Sequence, residues 1–186
     1  MKKIIFLFFL IFFAVINITN AGENKMFIKL KDGVVEIELF EDVAPNTVKR
    51  IKTLVQKKEY DGVVFHRVIE NFMAQTGDVQ FGNSKKDSFS LERVGTGSSD
   101  LPDLKQEFSN LPHERGTLSM ARAADPNSAN SQFFICLETS SHLDRNYTVF
   151  GKVLNGMEYV DQIKKGSGPN GMVDEPDKII SVSLSK

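Results

Sequence analysis

Phe65-His66-Arg67-Val68-Ile69-Glu70-Asn71-Phe72-Met73-Ala74-Gln75-Thr76-Gly77-Asp78 carries two short strand signals, Val63–Val68 and Phe72–Gln75. Period-two geometry places Phe65, Arg67 and Ile69 on one face of the first. An arginine bracketed by apolar neighbours is either a structural side chain, ion-paired or snorkelling, or the single cation of an apolar groove. No nucleophile and no paired acid and base stand beside it. Such a groove suits chemistry that breaks no bond between heavy atoms.

Moving outward, Gln132-Phe133-Phe134-Ile135-Cys136 reads as a strand with Gln132, Phe134 and Cys136 on one face and Phe133 and Ile135 on the other. Both faces are apolar, so one can line the core while the other lies under a ligand or a neighbouring loop. Met26–Lys31 and Val34–Leu39 alternate apolar and polar residues around Asp32-Gly33, the composition of a hairpin turn. Pro45–Lys58 predicts a helix with Val48, Ile51, Leu54 and Val55 on one face and Pro45 in the first turn, where no amide hydrogen is needed. Further strands are predicted at Gly116–Met120, Tyr147–Val153 and Lys178–Leu184, and a second helix at Met157–Lys164. Seven or eight strands with two helices favour an all-β closed barrel or sandwich over an α/β sheet. Closure would remove exposed strand edges, and the helices would plug the open ends. The polar stretch Gly82–Asp103 reads as a long loop, either functional or a tolerated insertion.

Lys2 and Lys3 precede an apolar run of thirteen residues, Ile4–Ile16, and a small residue, Ala21, closes the segment. This is the pattern of an export signal over residues 1–21, leaving a domain at 22–186. The run is shorter than the roughly 18 residues of a spanning helix, although an uncleaved anchor is the alternative. Removing Lys2 and Lys3 takes the formal charge from −1 to −3, with no basic footprint for nucleic acid. Cys136 is the only cysteine, so no intrachain disulfide is possible; inside an apolar strand it reads as a core residue rather than a reactive thiol. There is no CxxC, HExxH or glycine-rich phosphate loop, and His66, His113 and His142 lack metal-ligand spacing. Ser119 and Ser131 have no His–Asp partner evident in sequence, short of a triad assembled in space.

The stretches Phe65–Arg67, Phe72–Asp78, Gly116–Ala121, Asn130–Cys136 and Phe150–Val153, followed by Gly156-Met157, together resemble the signature of the cyclophilins. The likeness runs in consistent order from about Met26 to the C-terminus. It implies a closed eight-stranded antiparallel β-barrel capped by two helices, with peptidyl-prolyl cis–trans isomerase activity and no cofactor or metal. By position Arg67 matches the catalytic arginine, and Gln75 the amide that helps hold it and the substrate backbone. Phe72, Met73, Phe134 and Leu143 match the proline pocket. Ala121, Arg122, Ala123 and Gln132 match positions beside the groove for residues preceding proline, and His66 and Tyr147 fall at further rim positions. His142 stands where many eukaryotic members carry a tryptophan, Tyr147 where they carry a histidine, and Arg122 where asparagine is frequent. These departures look like exported bacterial cyclophilins, and the lost indole implies weak cyclosporin binding. The resemblance, with the export signal, implies a periplasmic monomer that assists folding of exported proteins. Its partners would be proline-containing unfolded or flexible polypeptides, with no nucleic acid and no membrane after cleavage. The alternatives are a peptide-binding chaperone using the same groove with little turnover, and a thiol-redox protein using Cys136.

Overall fold

The computed structural model describes residues 24–167 and 170–185, so the expected leader and its boundary at Gly22 lie outside the described residues. The alternation of the first hairpin becomes β1 (Lys25–Lys29) and β2 (Val34–Leu39), paired antiparallel with Met26 opposite Ile37 and Ile28 opposite Val35. Those four side chains are buried, while Glu38, between buried Ile37 and Leu39, faces solvent. Six more strands follow: β3 (Arg67–Ile69), β4 (Met73–Thr76), β5 (Thr117–Met120), β6 (Phe133–Cys136), β7 (Val149–Asn155) and β8 (Ser181–Leu184). They form one antiparallel sheet in the order β3-β4-β6-β5-β7-β2-β1-β8.

The expectation of a closed barrel is corrected here. The sheet curls but stays open, and β3 and β8 are its two ends with no ladder between them. Isolated contacts bridge the seam instead: Val64 lies opposite Lys178, Phe65 N–H donates to Asp177 O (2.8 Å), and Ile179 N–H donates to Val63 O (2.9 Å). The reason is that β3 itself faces residues 171–172, with Val68 N–H bonded to Gly171 O at 2.7 Å, while Ile180 N–H has already turned to Lys29 O at 2.8 Å. Pro176, which has no donor, sits between those two contacts. The predicted strand 63–68 is accordingly shortened to Arg67–Ile69.

Helix α1 (Pro45–Gln56) buries Thr47, Val48, Ile51, Leu54 and Val55, the face read from the apolar spacing. Helix α2 (Met157–Asp161) is shorter than its pattern suggests, because Lys164 N–H donates to the Asp177 carboxylate (2.8 Å) rather than to the helix backbone. A single 3-10 turn at Ser141–Leu143 has no counterpart in the predicted elements.

Strand β6 divides its two apolar faces as alternation requires. Phe133 and Ile135 join the main core with Leu118, Phe150 and the apolar side of α1. Phe134 and Cys136 form a second cluster with Met73 and Leu143, against which Ile69, Phe72, Ala121 and Tyr147 pack. Register fixes what stands beside what on that second face. Arg67 is opposite Gln75, Gln75 opposite Phe134, and Phe134 opposite Ser119, so one row crosses β3, β4, β6 and β5. Directly opposed residues in antiparallel strands point to the same side, so this row is contiguous in space although its members are far apart in sequence.

Candidate active site

The row's open end is the Arg67 guanidinium. Its Nη1 donates to Gln75 Oε1 (3.2 Å) and lies 3.8 Å from Met73 Sδ, while Nε donates to the carbonyl of Asn170 (2.9 Å). All these partners are neutral. No carboxylate among the described residues pairs with Arg67, and burial pulls its pKa down from the usual arginine value. The structural ion pair weighed for this arginine is therefore absent among the described residues.

The guanidinium faces a cavity of about 190 Å³. Met73 and Phe134 form its buried floor, and Phe72, Leu143 and Tyr147 form its sides. The Phe134 and Tyr147 rings meet edge to face, with centroids 6.0 Å apart and planes at 79°. Exposed His142 lies outside it, its ring 5.4 Å from that of Phe72. Ala121 and Arg122 separate this cavity from a second one of about 360 Å³, which also touches Gln75, Ala123 and Gln132. The Arg122 guanidinium sits 4.6 Å over the Tyr147 ring and donates to the carbonyls of Ala123, Ala124 and Asn146, stiffening the rim between the two spaces.

Behind Arg67, hydrogen bonds lead to the 82–103 loop. Gln75 Nε2 donates to Gln132 Oε1 (3.1 Å), and Gln132 Nε2 donates to the carbonyls of Gly95 (3.0 Å) and Gly97 (2.8 Å). The amides of the same two glycines donate to Asp78 Oδ2 at 2.7 and 2.9 Å, while those of Gln80 and Phe81 donate to its Oδ1. Asp78 is fully buried, and a Cβ at position 97 would run into its carboxylate, so only glycine allows that approach. Asn130 holds the loop's far end: its Oδ1 accepts from Ser99 N–H and Oγ, and its Nδ2 donates to Leu101 O and Asp103 Oδ1. Asp78 and Asn130 belong to the quoted motifs, but nothing local showed that they hold the loop, because the loop groups they bind lie 17 to 31 residues away.

Of the residues expected at the site, His66 is placed differently. It is 2% exposed beneath Gly95, lines neither cavity, and both ring nitrogens lack a protein partner among the described residues. Burial pushes its pKa down to about 4, so it stays neutral at physiological pH. The rim position expected for His66 is not where its side chain lies, because Arg67, its neighbour on the opposite face, takes the groove side. Cys136 is fully buried and its thiol is pushed up to about 12 by burial, which removes the thiolate that redox chemistry requires. A Ser119–His113–Asp144 constellation does assemble in space, with Ser119 Oγ 3.0 Å from His113 Nε2 and Asp144 Oδ1 2.9 Å from Nδ1. Ser119 and His113 are fully buried, however, so no substrate carbonyl reaches the hydroxyl. Among the described residues no group of three or more His, Cys, Asp or Glu side chains is placed to hold a metal ion.

Residues 25–184 match the family model described as cyclophilin type peptidyl-prolyl cis-trans isomerase/CLD. A probable peptidyl-prolyl cis-trans isomerase of Brucella suis is 56% identical over 163 residues, covering 87% of this chain and 83% of that protein. A peptidyl-prolyl cis-trans isomerase of Acinetobacter baylyi is 39% identical, covering 82% and 80%. Among solved structures, a cyclophilin from Hirschia baltica superposes with a TM-score of 0.71 at 27% identity, covering 88% of this chain and 74% of that one. A cyclophilin type isomerase of Cryptosporidium parvum, solved in the presence of the dipeptide Ala-Pro, superposes with a TM-score of 0.73 at 25% identity, covering 87% and 99%.

Proposed function

Because the chain belongs to the cyclophilin-type peptidyl-prolyl cis–trans isomerases, we propose that Arg67 is the group that speeds rotation about the X–Pro bond. Rotation about an amide is blocked by resonance, with a barrier of about 18–20 kcal/mol. At the twisted midpoint the prolyl nitrogen regains its lone pair. An N–H donor aimed at that nitrogen is stronger there than in either planar isomer, which is binding specific to the transition state. Lifting a rate near 0.01 per second to about 10 per second requires roughly 4 kcal/mol. One charge-assisted hydrogen bond, at about 1.5–3 kcal/mol net, supplies a large part of it.

In this reading the cavity of Met73, Phe134, Phe72, Leu143 and Tyr147 holds the pyrrolidine ring still while the preceding carbonyl swings. Gln75 keeps the guanidinium aimed and offers an amide to the substrate backbone. Residues before proline lie along Ala121, Arg122, Ala123 and Gln132, with His142 at the outer edge. No general acid or base enters, since no proton changes hands. The observation that carries the reading is a guanidinium held, among the described residues, only by neutral partners beside a cavity floored by Met73 and Phe134.

The substrates we infer are proline-containing unfolded or flexible segments of exported proteins, encountered in the periplasm by a monomer released after Ala21. The charged, apolar and small-residue pattern of residues 1–21 supports export. Slow X–Pro isomerisation is a known brake on folding there as elsewhere. Cyclosporin binding would be weak, because His142 offers less apolar area than an indole. The test is cis–trans exchange of an Ala-Pro peptide followed by NMR. Arg67→Ala is expected to lose roughly 100-fold in catalysed exchange, about 3 kcal/mol. Equal rates for the variant and the parent protein would remove Arg67 from the mechanism.

A further inference from the structure

His113 is fully buried and lines neither cavity, yet both of its ring nitrogens are engaged. Nδ1 lies 2.9 Å from Asp144 Oδ1, which also accepts the His113 backbone N–H at 2.8 Å. Those bonds hold the Asp144 carboxyl below its ordinary range, so it is ionised and accepts a hydrogen bond from Nδ1–H. Burial draws the imidazole pKa down, which keeps the ring neutral. Nε2 is then an acceptor, and the Ser119 hydroxyl, 3.0 Å away, donates to it. The other acceptor within reach of that hydroxyl, Thr148 O at 3.0 Å, keeps its own bond from Met120 N–H.

The ring stands directly behind the proposed prolyl pocket. It stacks on Phe134 with centroids 6.2 Å apart and planes at 20°, and meets Tyr147 edge-on at 6.5 Å. Its two hydrogen-bond partners bear on the same walls. Asp144 directly follows Leu143, and Thr148, in contact with Ser119, directly follows Tyr147. One imidazole thus joins β5, β6, the 3-10 turn and the start of β7 at the places where they carry the pocket.

We propose that His113 is a positioning residue for the isomerisation: braced by Asp144 and Ser119, its ring fixes Phe134, Leu143 and Tyr147 so that a bound prolyl nitrogen stays in line with Arg67. The inference rests on the arginine reading above. Misalignment weakens an interaction made only at the twisted midpoint, so it lowers the rate of bound substrate more than its affinity.

The experiment compares the parent protein with His113→Phe, Asp144→Asn and Arg67→Ala. For each, exchange of an Ala-Pro peptide at saturation, the peptide dissociation constant and the thermal unfolding curve are measured. His113→Phe keeps a ring and removes both side-chain hydrogen bonds; Asp144→Asn changes a partly exposed side chain and tests the same brace should the buried variant not fold. Both are expected to lower the saturated exchange rate, His113→Phe by about tenfold, with the dissociation constant changed by less than about threefold. Nitrogen-15 NMR of the parent protein at pH 7 is expected to show the His113 proton on Nδ1. Folded variants exchanging at the parental rate would overturn the inference. So would a rate loss fully matched by weaker peptide binding or by unfolded protein, or a proton found on Nε2. Undiminished exchange in Arg67→Ala would instead strike the arginine reading, and this inference with it.

Discussion

At Arg67 the environment that makes the side chain useful also works against its charge. Burial lowers its pKa, and among the described residues only neutral groups, Gln75, Met73 and the Asn170 carbonyl, hold it. A carboxylate partner would stabilise the cation but would also occupy its donors, leaving fewer for a twisted amide. His66, one residue earlier, resolves the same conflict by staying neutral. Its pKa is depressed from 6.5 to about 4, so between those two pH values the unfolded chain binds a proton that the folded protein does not. Stability from this source is fully present above pH 6.5 and is lost as pH falls towards 4, roughly 3 kcal/mol in all. His113, also depressed, acts in the same direction. Replacing His66→Gln is expected to flatten the acid limb of stability, read from urea unfolding at pH 7 and pH 4.5. Equal acid losses in the two proteins would contradict this account of His66.

Elements here depend on distant residues for their ends. Helix α1 starts at Pro45 with Ala44 as its N-cap, which offers no side-chain acceptor. Glu107 supplies one from 60 residues away: Oε1 accepts Asn46 N–H at 3.0 Å and Oε2 accepts Thr47 N–H at 2.8 Å. Glu107→Ala is expected to cost about 1–2 kcal/mol and to lower Tm by about 3–6 °C, read by thermal unfolding. An unchanged Tm would refute the cap. The contrast explains what could be read from residue order. The β1–β2 hairpin, the buried face of α1 and the two faces of β6 follow from periods of 2 and 3.6, which are local. The α2 end at Asp161 did not, because Asp177 takes the Lys164 amide across 13 residues. The arginine and the aromatic pocket were legible because motif residues occupy them. The His113–Asp144–Ser119 brace and the Asp78 clamp were not, since each joins groups that only the sheet register and loop closure bring together.

For the whole molecule, the strand count left a barrel or a sandwich and the resemblance implied a closed barrel, and closure failed at one seam. The chain segments 63–65 and 177–179 meet through isolated bonds, and Val182 N–H, at the β8 edge, is satisfied by the Asp61 carboxylate at 2.9 Å. The exposed edge is thus managed by a side chain and crossing segments rather than by pairing. The opposite face of the curled sheet gathers β3, β4, β5 and β6 into one row running from Arg67 to Ser119, and the proposed chemistry needs that row to be rigid. The export proposed above belongs to the full chain, and it predicts a periplasmic species that begins at Gly22 by intact mass. A membrane-bound species retaining residues 1–21 would contradict release.

The central claim is that the Arg67 guanidinium stabilises the twisted amide and not the resting peptide. Its most direct test is to measure, on Arg67→Ala, both the dissociation constant of an Ala-Pro peptide and its exchange rate at saturation. The expected result is affinity within about threefold of the parent with exchange slowed roughly 100-fold. Exchange that is unchanged, or that falls only as far as affinity falls, would contradict it.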